Sequence, residues 1–120
     1  MKIKTDVLDK LFSRCVRLLS GGYCKRCKNY VGYKKLHNAH FHSRRKHSVR
    51  WDFANTAALC YGCHSYVDGN PYEKIEFFLG LLGQEGLKEL DERAKELKPR
   101  IDKEDLKLDL KNRIKKLEEV

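Results

Sequence analysis

The sequence predicts a small α+β fold: a β-hairpin held against a short helix by two cysteine pairs, with one amphipathic helix before this unit and further helices after it. Three observations predict it. Two C-x-x-C pairs, Cys24 with Cys27 and Cys60 with Cys63, bracket a long insert. A helical apolar period runs before the first pair, and others follow the second. Between the pairs, glycine, asparagine and short alternating runs replace that period.

The first helix reads from an N-cap at Thr5 or Asp6. Leu8, Leu11, Phe12, Cys15, Val16 and Leu19 then fall on one face, and Gly21-Gly22 supplies the stop. Cys15 on that face reads as a buried core thiol. A knuckle follows at Cys24–Cys27. The hairpin places one strand near Lys35–His42 and the other near Val49–Phe53, joined by a basic turn at Ser43–Ser48. Asn55 to about Asp68 forms the second knuckle and a short helix. Gly69-Asn70-Pro71 ends that helix and starts another, since proline suits a first helical turn. Tyr72, Ile75, Phe78, Leu79 and Leu82 share a face of it. A further helix turns Leu87, Leu90, Ala94 and Leu97 inward until Pro99 breaks the pattern. A last helix from about Lys103 carries a stripe of Leu106, Leu110, Ile114 and Leu117, which docks on the domain or on a second copy of the chain. The ranges expected are a site-bearing domain over 1–82 and a C-terminal helical extension over 83–120.

A chain of 120 residues with 41% hydrophobic residues makes one foldable domain. No apolar run approaches the about 20 residues that span a bilayer, so no membrane partner is expected. MKIKTDVLDK lacks the apolar core of a secretory signal. With the odd cysteine, this predicts a reducing, cytoplasmic setting, where paired C-x-x-C spacing argues for metal rather than disulfides. Two knuckles aim four thiolates at one point and complete a tetrahedron, so Cys24, Cys27, Cys60 and Cys63 are expected to bind a structural zinc ion with no open position.

The net charge of +9 is concentrated. Nine basic residues and no Asp or Glu lie between Tyr23 and Arg50, while the rest of the chain carries 17 of each sign. Such a segment suits a polyanion, and DNA is the expected partner.

Four of the five histidines, His37, His40, His42 and His47, fall between the knuckles, with His64 directly after the second. The order C-x-x-C, H-x-x-H-x-H, Asn, C-x-x-C-H resembles the HNH (ββα-metal) endonuclease superfamily. The stretches HNAHFHSR (37–44), VRWDFAN (49–55), LCYGCH (59–64) and GNPY (69–72) look particularly like the phage NinG/Rap recombination nucleases. The resemblance covers roughly residues 7–72. It implies a ββα-metal core and metal-dependent phosphodiester hydrolysis in DNA, on branched recombination intermediates such as four-way junctions, inside a bacterial or archaeal host cell. By that resemblance His40 activates the water, Asn55 fixes the geometry around it, and His64 binds a catalytic Mg²⁺ or Mn²⁺. Arg44 clamps a phosphate oxygen, while Arg45, Lys46 and Arg50 contact flanking phosphates. Family members commonly carry Asp or His directly before the base. Ala39 stands there and offers no ligand, so the expected substitutes are His42 first, then Asp68, then His37. His47 reads as a basic-loop residue and Trp51 as core.

Competing readings are a non-catalytic zinc DNA-binding module, an HNH nickase of ordinary duplex, and an interaction protein using its C-terminal helices. Cutting both sides of a symmetric branch needs two active sites, which a homodimer would supply; the C-terminal leucine stripe is the candidate contact for it, with docking of that stripe within the chain as the alternative.

Overall fold

The computed structural model describes residues 4–119; residues 1–3 and 120, the outermost positions of the two expected domain ranges, lie outside it. Among the described residues the fold is α+β, with four α-helices and a two-stranded antiparallel sheet. Helix α1 spans Val7–Leu19 and is capped by Asp6. Asp6 Oδ1 accepts from the Asp9 amide at 3.0 Å, and Asp9 Oδ2 accepts from the Asp6 amide at 2.9 Å, a reciprocal capping box. Gly21 and Gly22 follow with φ of 68° and 89°. At Gly22 a Cβ would lie 2.7 Å from the Tyr30 ring, so only glycine lets the first knuckle close here.

Strand β1 covers His37–His40 and pairs with β2, Thr56–Leu59, placing His37 opposite Leu59 and His40 opposite Thr56. This corrects the expected second strand. Val49–Phe53 is not extended; the connection from Phe41 to Asn55 contains two short 3-10 turns, His47–Val49 and Phe53–Asn55. Helix α2, Tyr61–Asp68, begins at its N-cap Cys60. Helix α3, Pro71–Ala94, opens with proline in its first turn and breaks at Gly83, whose φ of 73° and ψ of 170° divide it into two rods. Helix α4 spans Lys103–Glu118 behind an Asp102 cap.

The main core gathers Leu8, Phe12, Cys15 and Val16 of α1, Ala39 of β1, all of β2 beyond Thr56, Val67 of α2, Phe78 of α3, and Leu110 and Ile114 of α4. The α4 stripe is therefore buried within the chain, chiefly against α1, and Arg14 NH2 reaches Glu118 Oε1 at 2.6 Å across that contact. Residues 103–119 share the core of the site-bearing part, and the buried members of the stripe are not free to face a second copy. The second rod of α3 buries Leu90 and Ala94 against Val49. Its expected inward face stops there, because Leu97 lies beyond the helix and is 90% exposed. Tyr72 is 85% exposed, also contrary to its expected face, because it sits in the first turn, ahead of the buried Phe78.

Candidate functional site

The four paired cysteines converge. One ligand atom from each of Cys24, Cys27, Cys60 and Cys63 lies within 4.8 Å of the others, and Cys27 Sγ and Cys60 Sγ are 3.9 Å apart. Tetrahedral zinc with Zn–S near 2.3 Å sets sulfurs about 3.8 Å apart, so the cluster has the spacing to hold one zinc ion. Lys28, with φ of 67°, turns the first knuckle, and its amide donates to Cys24 O at 2.9 Å. The Lys25 amide donates to Ala58 O at 2.9 Å, tying that knuckle to β2. On the other side the Cys63 amide points at Cys60 Sγ, 3.5 Å away. Burial raises the Cys24 thiol, but backbone hydrogen bonds around it outweigh burial and hold it well below the ordinary thiol range. Burial and the neighbouring thiols push Cys63 up, against the Arg26 guanidinium, whose NH1 is 3.5 Å from its sulfur. Arg26 also stacks 4.3 Å over the Tyr66 ring.

Beside this cluster a cleft of about 550 Å³ opens between α1, β1, the 41–55 connection and α2. His40 and Asn38, which share one strand face, line it together with His64 and Asp68 of α2. Lys10, Arg17, Arg44 and Lys74 add positive charge around it. Burial, and then the Arg44 charge, lower the pKa of His40 below the ordinary imidazole value, against backbone hydrogen bonds to Arg50 and Asn38. Burial also lowers His64, against the pull of Asp68. Both rings are thus biased towards the neutral form, able to accept a proton or bind a cation.

His64 has two close partners. Its Nδ1 lies 3.0 Å from His37 Nδ1, and its Nε2 lies 3.1 Å from Asp68 Oδ2. Asp68 also receives Lys74 Nζ at 2.9 Å. The expected ranking of substitute ligands changes accordingly. His42 turns away from the cleft, because β1 ends at His40. Its amide donates to Asn55 Oδ1 at 2.7 Å, and its Nε2 lies 2.7 Å from Asp91 Oδ1 on α3. His37 and Asp68, ranked behind it, are the residues that meet His64. They approach opposite nitrogens of the ring, and among the described residues the four cysteines form the only cluster with three or more metal-ligating atoms in mutual reach.

Asn55 is fully buried and clasps the connection. Besides accepting from His42 N, its Nδ2 donates to His42 O at 3.0 Å and to Val49 O at 3.1 Å. Arg44 lines the cleft, and its NH1 donates to Thr5 Oγ1 at 3.0 Å and lies 3.5 Å from Asp9 Oδ2. Arg45 and Lys46 are exposed on the connection. Arg50 does not face solvent as a phosphate contact would. It is 6% exposed, and its guanidinium grips both carboxylate oxygens of Asp9, with Nε to Oδ1 at 2.9 Å. Trp51 is buried and donates Nε1–H to Asp9 Oδ1 at 3.0 Å.

Two residues of the site escaped the sequence reading. Asp9 looked like an ordinary first-turn acid but is the hub that anchors α1 to the connection. Burial raises its carboxyl, while Arg50 and the Asp6 amide outweigh burial and hold it below the usual range. Asn38 carries a buried Oδ1 with no hydrogen-bond partner, an unsatisfied acceptor beside the cleft. The H-x-x-H pattern drew attention to its neighbours, and only its place on the His40 strand face could have singled it out. No family model, curated protein or solved structure matches this chain.

Proposed function

We propose that this chain is a metal-dependent DNA endonuclease of the HNH type, built on a structural zinc ion held by the four cysteines. The observation that carries the reading is the pairing of His40 at the end of β1 with His64 in the first turn of α2 on one basic cleft, both biased towards neutral imidazole. In this reading His40 takes the proton from the attacking water. Arg44 steadies a phosphate oxygen, and Asn55 keeps the connection folded so that Arg44 faces the cleft.

For the divalent ion, His64 with Asp68 is the pair that fits best. Together they offer one nitrogen and one carboxylate oxygen, and Mg²⁺ commonly keeps several of its own waters when few side chains hold it. Asn38, which lines the same cleft, carries a further hard oxygen, a buried Oδ1 without a hydrogen-bond partner. Such an ion supplies neutralisation of charge at the reacting phosphate and leaving oxygen. Branched recombination DNA is the proposed substrate, since a surface of backbone-directed cations reads shape and charge rather than bases.

A second reading, a zinc module that binds DNA without cutting it, is favoured by Ala39 and by the fact that, among the described residues, His64, His37 and Asp68 do not bring three ligand atoms into mutual reach. One experiment separates the two. Zinc-loaded protein is incubated with supercoiled plasmid, linear duplex and a four-way junction in Mg²⁺ or Mn²⁺, beside His40→Ala. Cleavage that falls about 10²–10⁴-fold in the variant, with zinc content and DNA affinity retained, supports the nuclease. Equal rates for both proteins, or no cleavage of any DNA form, sinks it.

A further inference from the structure

The zinc end of the molecule is unusually rich in exposed aromatic rings. Tyr23 and Tyr30, which flank the first knuckle, are 52% and 66% exposed, and Tyr61 and Tyr66 of α2 are 71% and 41% exposed. Isolated exposed apolar groups are ordinary, but four tyrosines on the segments that carry the four cysteines are not scattered. Of these, Tyr66 already has the Arg26 guanidinium stacked 4.3 Å over its ring, which leaves Tyr23, Tyr30 and Tyr61 to meet bases. Tyr23 and Tyr30 meet edge to face at 5.2 Å across an isolated β-bridge, so their rings are held rather than free. The interleaved residues are basic: Lys25, Arg26 and Lys28. Arg26 lies against Cys63 and so offsets thiolate charge that would repel a polyanion. Tyr61 stands edge-on to His37 with ring centroids 5.9 Å apart, and His37 in turn touches His64, which lines the cleft.

We infer that this face is a stacking platform for the unpaired nucleotides of single-stranded DNA, continuous with the cleft through Tyr61 and His37. The inference rests on the DNA reading above and deepens it, because it assigns the preferred substrate an unpaired segment next to the bond that is cut. Rings held among cations suit this role: every base offers a π-face, while the cations follow the phosphates. Charge alone, without the rings, would favour the duplex, whose phosphates are more densely spaced, so a preference for single strands has to come from the rings.

The test uses full-length, zinc-loaded protein without added Mg²⁺ or Mn²⁺, so that nothing is cut. Affinities for a labelled oligothymidylate and for a labelled duplex are measured over a range of salt concentrations. Tyr61→Ala and the double variant Tyr23→Ala/Tyr30→Ala should each bind the oligothymidylate about tenfold more weakly. Their duplex affinity and the slope of affinity against salt should stay unchanged, since no cation is lost. Tyr61→Phe, which keeps the ring, should bind as wild type. Zinc content checks each variant; because Tyr30 packs near Gly22, Tyr61→Ala decides alone if the double variant loses its metal. The platform is overturned if Tyr61→Ala binds the oligothymidylate as wild type does, or loses oligothymidylate and duplex affinity alike, or if Tyr61→Phe is as weak as Tyr61→Ala. Wild-type protein that binds neither DNA overturns the DNA reading itself.

Discussion

His40 shows how one residue's surroundings set its chemistry. An imidazole in water titrates near about 6.5, which would leave a substantial fraction protonated in mildly acidic conditions. Burial lowers that value, and the Arg44 charge lowers it further. The neutral form therefore persists to lower pH than it would in water, and a base works only in that form. If His40 is the base of the proposed nuclease, the acid limb of kcat/KM against pH should accordingly lie below the ordinary imidazole value. Arg44→Gln removes the second of the two causes, so its limb should move upward, while its plateau rate should fall if Arg44 makes the proposed phosphate contact. A pH profile of plasmid cleavage for the two proteins checks this, and identical limbs would mean that Arg44 does not act on the base. Folding carries the matching sign. Protonation of His40 is disfavoured in the native state, so its contribution to stability is complete above the unfolded value and declines as pH falls towards the folded one.

At the level of elements, the connection between the strands carries most of the difference between expectation and structure. Val49-Arg50-Trp51-Asp52-Phe53 alternates apolar with charged residues, as a half-buried strand does. In the structure the alternation has another origin: Val49 packs on Leu90 and Ala94, and Trp51 joins the main core. Arg50, charged and apparently outward, is buried by its pairing with Asp9. The true second strand, Thr56-Ala57-Ala58-Leu59, has few β-branched residues, and its burial comes from tertiary packing that local propensity does not encode. The cysteine pairs, the first helix and the helix after the second knuckle were legible because capping, glycine stops and ligand spacing are local signals. His42 was misplaced because strand alternation was extended two residues past the end of the strand. Asn55 is what makes that end. Asn55→Ala would leave the part-buried His42 amide without its acceptor, at about 1–3 kcal/mol for a group left unpaired, and would take from the Val49 carbonyl one of its two donors, the Asp52 amide at 3.2 Å remaining. A urea unfolding midpoint well below wild type, together with loss of cleavage, is the expected result. An unchanged midpoint would show that the connection is held by Val49 and Arg50 alone.

With zinc on the four cysteines, as proposed, the whole molecule should depend on that ion, because the knuckles are not appended to the core but form part of it. Cys24 and Cys63 belong to the same buried cluster as Phe12 of α1, Leu59 of β2 and Leu110 of α4. A two-stranded sheet of four-residue strands is marginal without such support. The magnitudes point the same way. A structural zinc site contributes about 10–16 kcal/mol of apparent binding energy near neutral pH. The net stability of an ordinary domain is only about 5–15 kcal/mol. Removing the ion should therefore unfold the chain rather than loosen one end of it, and the loss should reach α1 and α4, which share the core. The effect should also depend on pH. All four thiols must be ionised to bind, and Cys63 resists ionisation through burial, so the ion should be released progressively as pH falls. Chelation at neutral pH, followed by circular dichroism and thermal melting, measures this. The expected outcome is loss of the cooperative transition, its return on adding one equivalent of zinc, and the same loss in Cys60→Ser without chelator. A chelated protein with the helical signal and melting temperature of the untreated one would show that apolar packing among α1, the sheet and α4 is sufficient, and that the four sulfurs converge without holding the fold.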